Sequence, residues 1–413
     1  MDVPRLDWRL KGLPACAEGL TGAEIGALGL RVADMMMPVA VLRETALRHN
    51  IAAMQAFADR IGARLAPHGK TSMSPELFAM QIEAGAWAMT AATAHHVRIY
   101  RRCGIGRVFL ANQAVADADL DWIAGEIARD PGFDFYCLAD SEEGVSRLAG
   151  ATERAGLNRP INILLETGFA GGRTGVRGIE QAVAVAHRIA EAAPRLALVG
   201  VETFEGVRQA GADPRPEARE MLGLAVAAAE AVANEGLLSD GPLLISAGGS
   251  AFLELVAAGL PAEVAGRPAV KVIRPGCYVT HDHGIYESLV RPGGPHSLPG
   301  LAPSLEVWGV VQSLPEPHLA IVGVGRRDVS FDSGLPRAIR VDRPGADKVD
   351  VEGVSTVRLW DQHAALAMPP GRLRIGDLVG FGISHPCGTF DRWRALFTVD
   401  ERSRITGAVT TLF

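Results

Sequence analysis

Ala66-Pro67-His68-Gly69-Lys70-Thr71 places a lysine amine just beyond a short apolar run. Desolvation lowers a lysine's affinity for its proton, and the freed amine can form a Schiff base with an aldehyde. Lysine is scarce here. Of 41 Lys and Arg residues in a chain of 413, only Lys11, Lys70, Lys271 and Lys348 are lysines. Arginine stays protonated and cannot do amine chemistry. A lysine in a loop is ordinarily a solvent residue, so the position of Lys70 has to decide. Glu166-Thr167-Gly168-Phe169-Ala170-Gly171-Gly172-Arg173-Thr174-Gly175 offers a second group, an arginine between glycines that let a backbone come close. Its guanidinium can donate to a phenolate or phosphate oxygen; the plainer reading is a flexible turn with a solvent arginine. Ser246-Ala247-Gly248-Gly249-Ser250 opens a helix, and backbone N–H groups there can hold an anion. Arg274-Pro275-Gly276-Cys277-Tyr278 has the same strand-to-turn texture. Neither stretch is a GxxxxGK[ST] loop, which argues against nucleotide hydrolysis. His385-Pro386-Cys387 sets an imidazole and a thiol two residues apart. Together they can chelate one metal, and N/S ligation suits zinc. The competing reading is a chance pair with a buried cysteine. His281-Asp282-His283 and His95-His96 are metal-like as well, but paired histidines usually decorate surfaces or orient neighbours.

The elements that must position these groups can be read from periodicity. Apolar strand candidates are Ala63–Pro67, Trp87–Ala91, Val108–Ala111, Phe133–Leu138, Ile161–Glu166, Leu196–Phe204, Leu243–Ala247 and Val270–Arg274. Helix candidates between them are Pro75–Ala84, His95–Arg102, Asp119–Ala128, Ser141–Ala155, Ile179–Glu191, Glu217–Ala233 and Ala251–Val256. Ser74-Pro75-Glu76 and Ser141-Glu142-Glu143 carry capping hydroxyls followed by acid in the first turn. Strands alternating with helices in this way predict an α/β chain with a (β/α)8 TIM barrel, with a doubly wound open sheet as the alternative. In such a barrel the strand C-termini form the active face, and Lys70, Arg173, Gly248 and Gly276 all fall just beyond strands. After about residue 290 the texture changes. Pro and Gly cluster over Arg291–Pro295, and short alternating runs such as Ser304–Val311 and Leu319–Val324 follow, with a turn signal at Ser333-Gly334-Leu335-Pro336. This predicts a second, β-rich C-terminal domain. The strand-like Pro38–Leu42 extends that domain, giving a barrel over residues 44–290 and a β-rich domain over 1–43 plus 291–413.

Composition fits a globular enzyme: 48% hydrophobic, 21% charged, with a net charge of −6. A nucleic-acid binder would want a basic face, so no nucleic-acid partner is expected. Cys16, Cys103, Cys137, Cys277 and Cys387 are odd in number and contain no CxxC pair, which points to a reducing compartment rather than a disulfide framework. No run of about 18 apolar residues suggests a membrane helix. Met1-Asp2-Val3-Pro4-Arg5 does not read as a signal peptide, so a cytoplasmic protein without a membrane partner is expected.

Taken in order, these motifs resemble the D-serine dehydratase / D-threonine aldolase family, pyridoxal-phosphate enzymes of the alanine racemase-like fold. Pro67-His68-Gly69-Lys70-Thr71 carries the strongest likeness. It continues through Ser74-Pro75-Glu76, Glu83-Ala84-Gly85-Ala86-Trp87 and Val108-Phe109-Leu110-Ala111-Asn112-Gln113. The Gly-Arg-Thr-Gly turn at 172–175, Gly248-Gly249-Ser250, Arg274 to Tyr278 and His385-Pro386-Cys387 follow in family order. The resemblance implies that Lys70 is the catalytic and Schiff-base lysine, with His68 beside the cofactor. It implies that Arg173 faces the cofactor's O3′ oxygen, and that Gly248, Gly249, Ser250, Gly276, Cys277 and Tyr278 hold the phosphate. His385 and Cys387 would bind a divalent metal, zinc or alternatively manganese; His-x-Cys resembles the dehydratase branch, whereas the aldolase branch carries His-x-Asp. The family's Gln-x-Tyr-x-Gly-His pattern is replaced here by Glu202-Thr203-Phe204-Glu205-Gly206-Val207. Glu202 would then face the pyridine nitrogen and keep it protonated. The implied activity is dehydration of D-serine or a related D-β-hydroxy amino acid to a 2-oxo acid and ammonia. Retro-aldol cleavage to glycine and an aldehyde, or cofactor binding without catalysis, are the alternatives. The resemblance also implies a homodimer acting on a small-molecule D-amino acid.

Overall fold

The computed structural model describes residues 4–207, 214–249, 252–284, 286–287, 300–343 and 349–413. Ser250 and the expected Pro/Gly cluster at 291–295 lie outside the described residues. The chain enters through β1 (Val39–Arg43) and a helix, Glu44–Arg60. Eight parallel strands then alternate with helices: β2 (Ala63–Leu65), β3 (Met89–Ala91), β4 (Arg107–Gln113), β5 (Asp134–Ala139), β6 (Ile161–Thr167), β7 (Leu196–Thr203) and β8 (Leu243–Ala247), then, after the short arm β9 (Glu263–Val264), β10 (Arg267–Ile273). They pair in the order β2-β10-β8-β7-β6-β5-β4-β3. The ring closes where the Trp87 amide donates to Leu65 O at 2.7 Å and the Thr90 amide to Pro67 O at 2.8 Å. The (β/α)8 barrel is therefore the observed fold, and the open-sheet alternative is set aside.

Alternation along each strand builds two layers. Ala66, Phe109, Leu138, Leu164, Leu244 and Val272 fill the barrel interior. Their neighbours Val108, Leu110, Cys137, Ile163 and Leu165 point outward and pack under the helices. Helix starts follow their caps: the hydroxyls of Ser74, Thr93 and Ser141 accept from the amides of Leu77, His96 and Gly144. The helix expected over residues 251–256 spans Leu253–Gly259. The helix Glu44–Arg60 was not expected. Its buried face includes Asn50, a polar residue that interrupts the apolar stripe. The Asn50 amide is satisfied across the fold, donating to Ala302 O at 2.8 Å and accepting from the Ala302 amide at 2.8 Å.

The second sheet is mostly antiparallel. Its strands are β11 (Leu305–Glu316), β12 (Leu319–Val322), β13 (Arg337–Asp342), β14 (Ser355–Leu359), β15 (Ala364–Ala367), β16 (Leu378–Gly382), β17 (Ala395–Val399) and β18 (Ile405–Thr410). The order is β14-β15-β12-β11-β1-β17-β18, with β16 joining β11 to β13. β1 runs antiparallel to β11 and parallel to β17, so an N-terminal strand lies inside a C-terminal sheet. Arg43, leaving β1, is buried and pairs with Glu306 on β11 at 2.9 Å; the same carboxylate accepts from Trp308 Nε1. Among the described residues no helix is long and apolar enough to cross a membrane.

Two connections set the β domain over the barrel mouth. The Leu412 amide donates to Met73 O at 2.9 Å, and the Thr410 hydroxyl donates to Glu76 at 2.9 Å. After β16 the chain turns into a short helix, Pro386–Phe390, with proline at its first position. Ser330 and Thr389 brace that turn: the His385 amide donates to Ser330 Oγ at 3.2 Å, and the Thr389 hydroxyl donates to Ser330 Oγ at 3.0 Å.

Candidate active site

A cavity of about 420 Å³ opens at the C-terminal ends of the barrel strands. Lys70 lines it from the turn after β2, and Lys70 Nζ has no hydrogen-bond or ion-pair partner among the described residues. Beside it, Nδ1 of His68 is buried without a partner. Burial, reinforced by the charges of Lys70 and Arg274, holds the His68 imidazole well below its usual range, so the ring is neutral. Gly276 belongs to the same wall. A Cβ there would stand 2.5 Å from Thr71 Oγ1 and 3.1 Å from His68 Cβ, so only glycine lets the turns after β2 and β10 approach.

Arg173 lines the opposite wall, with its guanidinium 5.3 Å from the centre of the Phe204 ring. The turn that presents it is tightly held. Gly175 has φ +93°, and a Cβ there would lie 2.6 Å from the Gly168 amide. Thr174 Oγ1 donates to Glu166 at 2.7 Å, and the Gly175 amide donates to Asp140 at 2.9 Å. The Arg177 guanidinium spans the turn, donating to the carbonyls of Thr174 and Gly175 at 2.7 Å each and of Arg173 at 3.0 Å.

The inner end of the cavity is an ionic network. Arg274 is buried, pairs with Glu202 and donates to Ser246 Oγ, and its guanidinium stacks 4.9 Å from the Phe109 ring. Burial pushes the Glu202 carboxyl up to about 7 against the pull of Arg274. The amides of Gly248 and Gly249 point at one carboxyl group already: they donate to the two side-chain oxygens of Glu205, at 3.1 and 2.6 Å. Glu205 is fully buried, and that burial raises its pKa. Gly249 has φ +71°, and a Cβ on Gly248 would strike the Phe204 ring at 2.2 Å.

His385 and Cys387 line the same cavity from the β domain. Cys277, at the start of a 3-10 turn after β10, puts its Sγ 3.6 Å from Cys387 Sγ. Cys277, His385 and Cys387 form the one group among the described residues whose donor atoms are all within 4.8 Å of one another in metal-binding fashion. Asp332 holds His385 through Nδ1 at 2.6 Å. Cys387 and then Asp332 raise the His385 imidazole to about 9. The Cys387 thiol is pulled well below its usual range by the contact with Cys277 and by His385.

The structure thus gathers nine of the twelve expected residues around one cavity. Gly249 is not part of the cavity lining; its amide donates to Glu205 beside that of Gly248. Tyr278 is placed elsewhere: it is fully buried and its hydroxyl accepts from Gln81 at 2.9 Å, away from the cavity lining. Sequence reading gave no role to Glu205, Arg177 or Asp332. The His281-Asp282-His283 run is structural, since Asp282 accepts from the amides of Gly284 and Tyr286 at 2.8 and 3.0 Å.

Residues 304–399 match the family model described as "Putative serine dehydratase domain". The chain is 26% identical to 3-hydroxy-D-aspartate aldolase of Paracoccus denitrificans (strain Pd 1222) over 380 residues, covering 86% of this chain and 87% of that protein. Its fold matches D-threonine aldolase from Filomicrobium marinum with a TM-score of 0.77 at 22% identity, over 93% of this chain and 97% of that one. D-threo-3-hydroxyaspartate dehydratase from Delftia sp. HT23 matches with a TM-score of 0.73 at 22% identity, over 92% and 99%. Alanine racemases share the fold at greater distance. These likenesses bear out the resemblance read from the motifs: the chain is similar to proteins of the D-serine dehydratase / D-threonine aldolase group, and its fold is alanine racemase-like.

Proposed function

We propose that the protein is a pyridoxal-phosphate- and metal-dependent lyase of D-β-hydroxy amino acids, eliminating water to give a 2-oxo acid and ammonia. One observation carries this reading: Lys70 from the barrel and His385 with Cys387 from the β domain line a single cavity. The residues fit the cofactor. Two amides already converge on one carboxyl group in the Gly248–Gly249 turn, and His68 Nδ1 is buried without a partner. When bound, the cofactor supplies an electron sink for the bond that breaks at Cα. Lys70 Nζ would tether it and carry the Cα proton. The amides of Gly248, Gly249 and Gly276 would take the phosphate, and Arg173 would donate to the ring oxygen. Glu202, whose carboxyl titrates near 7, would share a proton with the ring nitrogen. A divalent ion at His385 and Cys387 would supply positive charge for the β-hydroxyl. In support, the solved dehydratase structures include a cysteine-to-alanine variant in a metal-free form.

Retro-aldol cleavage is the second reading, favoured by the names of the Paracoccus and Filomicrobium relatives. Incubation of the cofactor- and metal-loaded protein with D-serine, D-threonine and D-3-hydroxyaspartate separates them. Ammonia with a 2-oxo acid is expected; glycine with an aldehyde as the sole products would replace elimination by cleavage. Lys70→Ala should abolish either outcome, and borohydride should no longer fix cofactor to the protein. Turnover that survives Lys70→Ala, or no turnover of any D-amino acid, sinks the proposal.

A further inference from the structure

We infer that Cys277 is a third protein ligand of the metal held by His385 and Cys387, giving one imidazole, two thiolates and an open fourth position on the cavity. The inference rests on the metal part of the proposed function. The motif reading placed Cys277 with the phosphate group, yet its side chain lies against the sulfur of Cys387, 110 residues away in sequence. The 3.6 Å between the sulfurs is short enough for both to reach one ion. Two thiolates bound at about 2.3 Å to one tetrahedral zinc stand about 3.8 Å apart. A disulfide would need about 2.05 Å, and two neutral thiols are only weak donors and acceptors. The separation therefore fits two sulfurs that share an ion. The same three donor atoms all lie within 4.8 Å of one another.

The surroundings agree. Asp332 occupies Nδ1 of His385 and leaves Nε2 for the metal, the usual carboxylate-to-histidine support of a ligated imidazole. All three residues line the cavity that holds Lys70, so a fourth coordination position opens toward the reacting centre. Three protein ligands and one open position define a catalytic rather than a structural zinc site, and a two-cysteine, one-histidine set is a known version of it. Two thiolates also select a soft ion, zinc over manganese or magnesium. A His-x-Cys pair alone would select less sharply.

X-ray absorption at the zinc edge of the unaltered, cofactor-loaded protein should show two sulfurs at about 2.3 Å; a single sulfur overturns the inference. Cys277→Ser should raise the zinc dissociation constant at least about 100-fold. In the cobalt-substituted protein the same change should cut the thiolate charge-transfer absorption by about half. Cys16→Ser, at an exposed cysteine, should change neither. Wild-type zinc affinity and an unchanged cobalt spectrum in Cys277→Ser overturn the inference. Zinc bound through one sulfur with turnover intact removes only the Cys277 ligand, whereas failure to bind any divalent ion removes the metal from the proposed function as well.

Discussion

On the proposed reading, Glu205 stands where the cofactor's phosphate would go. Its carboxylate takes both the Gly248 and Gly249 amides in a buried setting, so cofactor entry at that turn means displacing it. Glu205→Gln keeps the shape and removes the charge. The cofactor-free variant should therefore bind pyridoxal phosphate about tenfold more tightly, about 1.4 kcal/mol, since charge-assisted bonds are among the strongest to replace. A fluorescence titration reads this directly; equal or weaker binding would show that the carboxylate does not compete. The contrast with Lys70 explains what was legible in the sequence. Lys70 could be picked out because an amine is rare in this chain, and His385 with Cys387 because two metal-ligating types sit together. Glu205 and Asp332 carry no such mark. Acids in loops are common, and what makes these two special is a partner 43 or 53 residues away that only the fold supplies. Cys277 is a different case: its motif set it beside the expected phosphate turn, and the fold also brings its sulfur against Cys387.

The barrel strands read well because burial on both faces makes them short apolar runs with clear helical spacing between them. β8 and the helix Ile179–Glu191 match their expected bounds, and most other edges move by a residue or two. The helix Glu44–Arg60 hid because Asn50 sits on its buried face, satisfied by a backbone segment 252 residues further on. The turn between β6 and the next helix was recognised by its glycines, but its rigidity was not. Arg177 supplies that rigidity by donating to the carbonyls of Gly172, Arg173, Thr174 and Gly175. It is an exposed positioning residue, so its loss should act on the turn and not on the barrel. Arg177→Ala should weaken pyridoxal phosphate binding about tenfold through misplacement of Arg173, with melting temperature little changed. Arg177→Lys should not rescue, because one ammonium cannot reproduce the guanidinium fork. A large fall in melting temperature, or full affinity in Arg177→Ala, would remove the positioning role.

The two domains meet through direct bonds, among them Leu412 to Met73, Thr410 to Glu76, Asn50 to Ala302 and His283 to Ile383, and through an apolar cluster in which Leu47, Leu77 and Val279 pack with Val307 and Leu366. Sequence reading anticipated β structure after the barrel, yet nothing in it could say that the second sheet leans across the strand ends; that follows from β1 threading between β11 and β17. The same arrangement would give a metal at the proposed site a mechanical consequence. Cys277 belongs to the barrel, whereas His385 and Cys387 belong to the β domain, so one ion bound to all three ties the domains together. An ion that binds only the assembled native state stabilises it by mass action, by about 2.7 kcal/mol at a free concentration of 100 times the dissociation constant. Unfolding entropy for a chain of 413 residues is about 0.9 kcal/mol per degree, so zinc added to metal-stripped protein should raise the melting midpoint by about 3 °C. Calorimetry should show the gain in both domains together. In Cys277→Ser the ion would be held by the β domain alone, and the barrel should melt at its metal-free temperature whether or not zinc is present. A zinc-dependent shift of the barrel that survives Cys277→Ser would mean that the domains are coupled through their direct contacts and not through the metal.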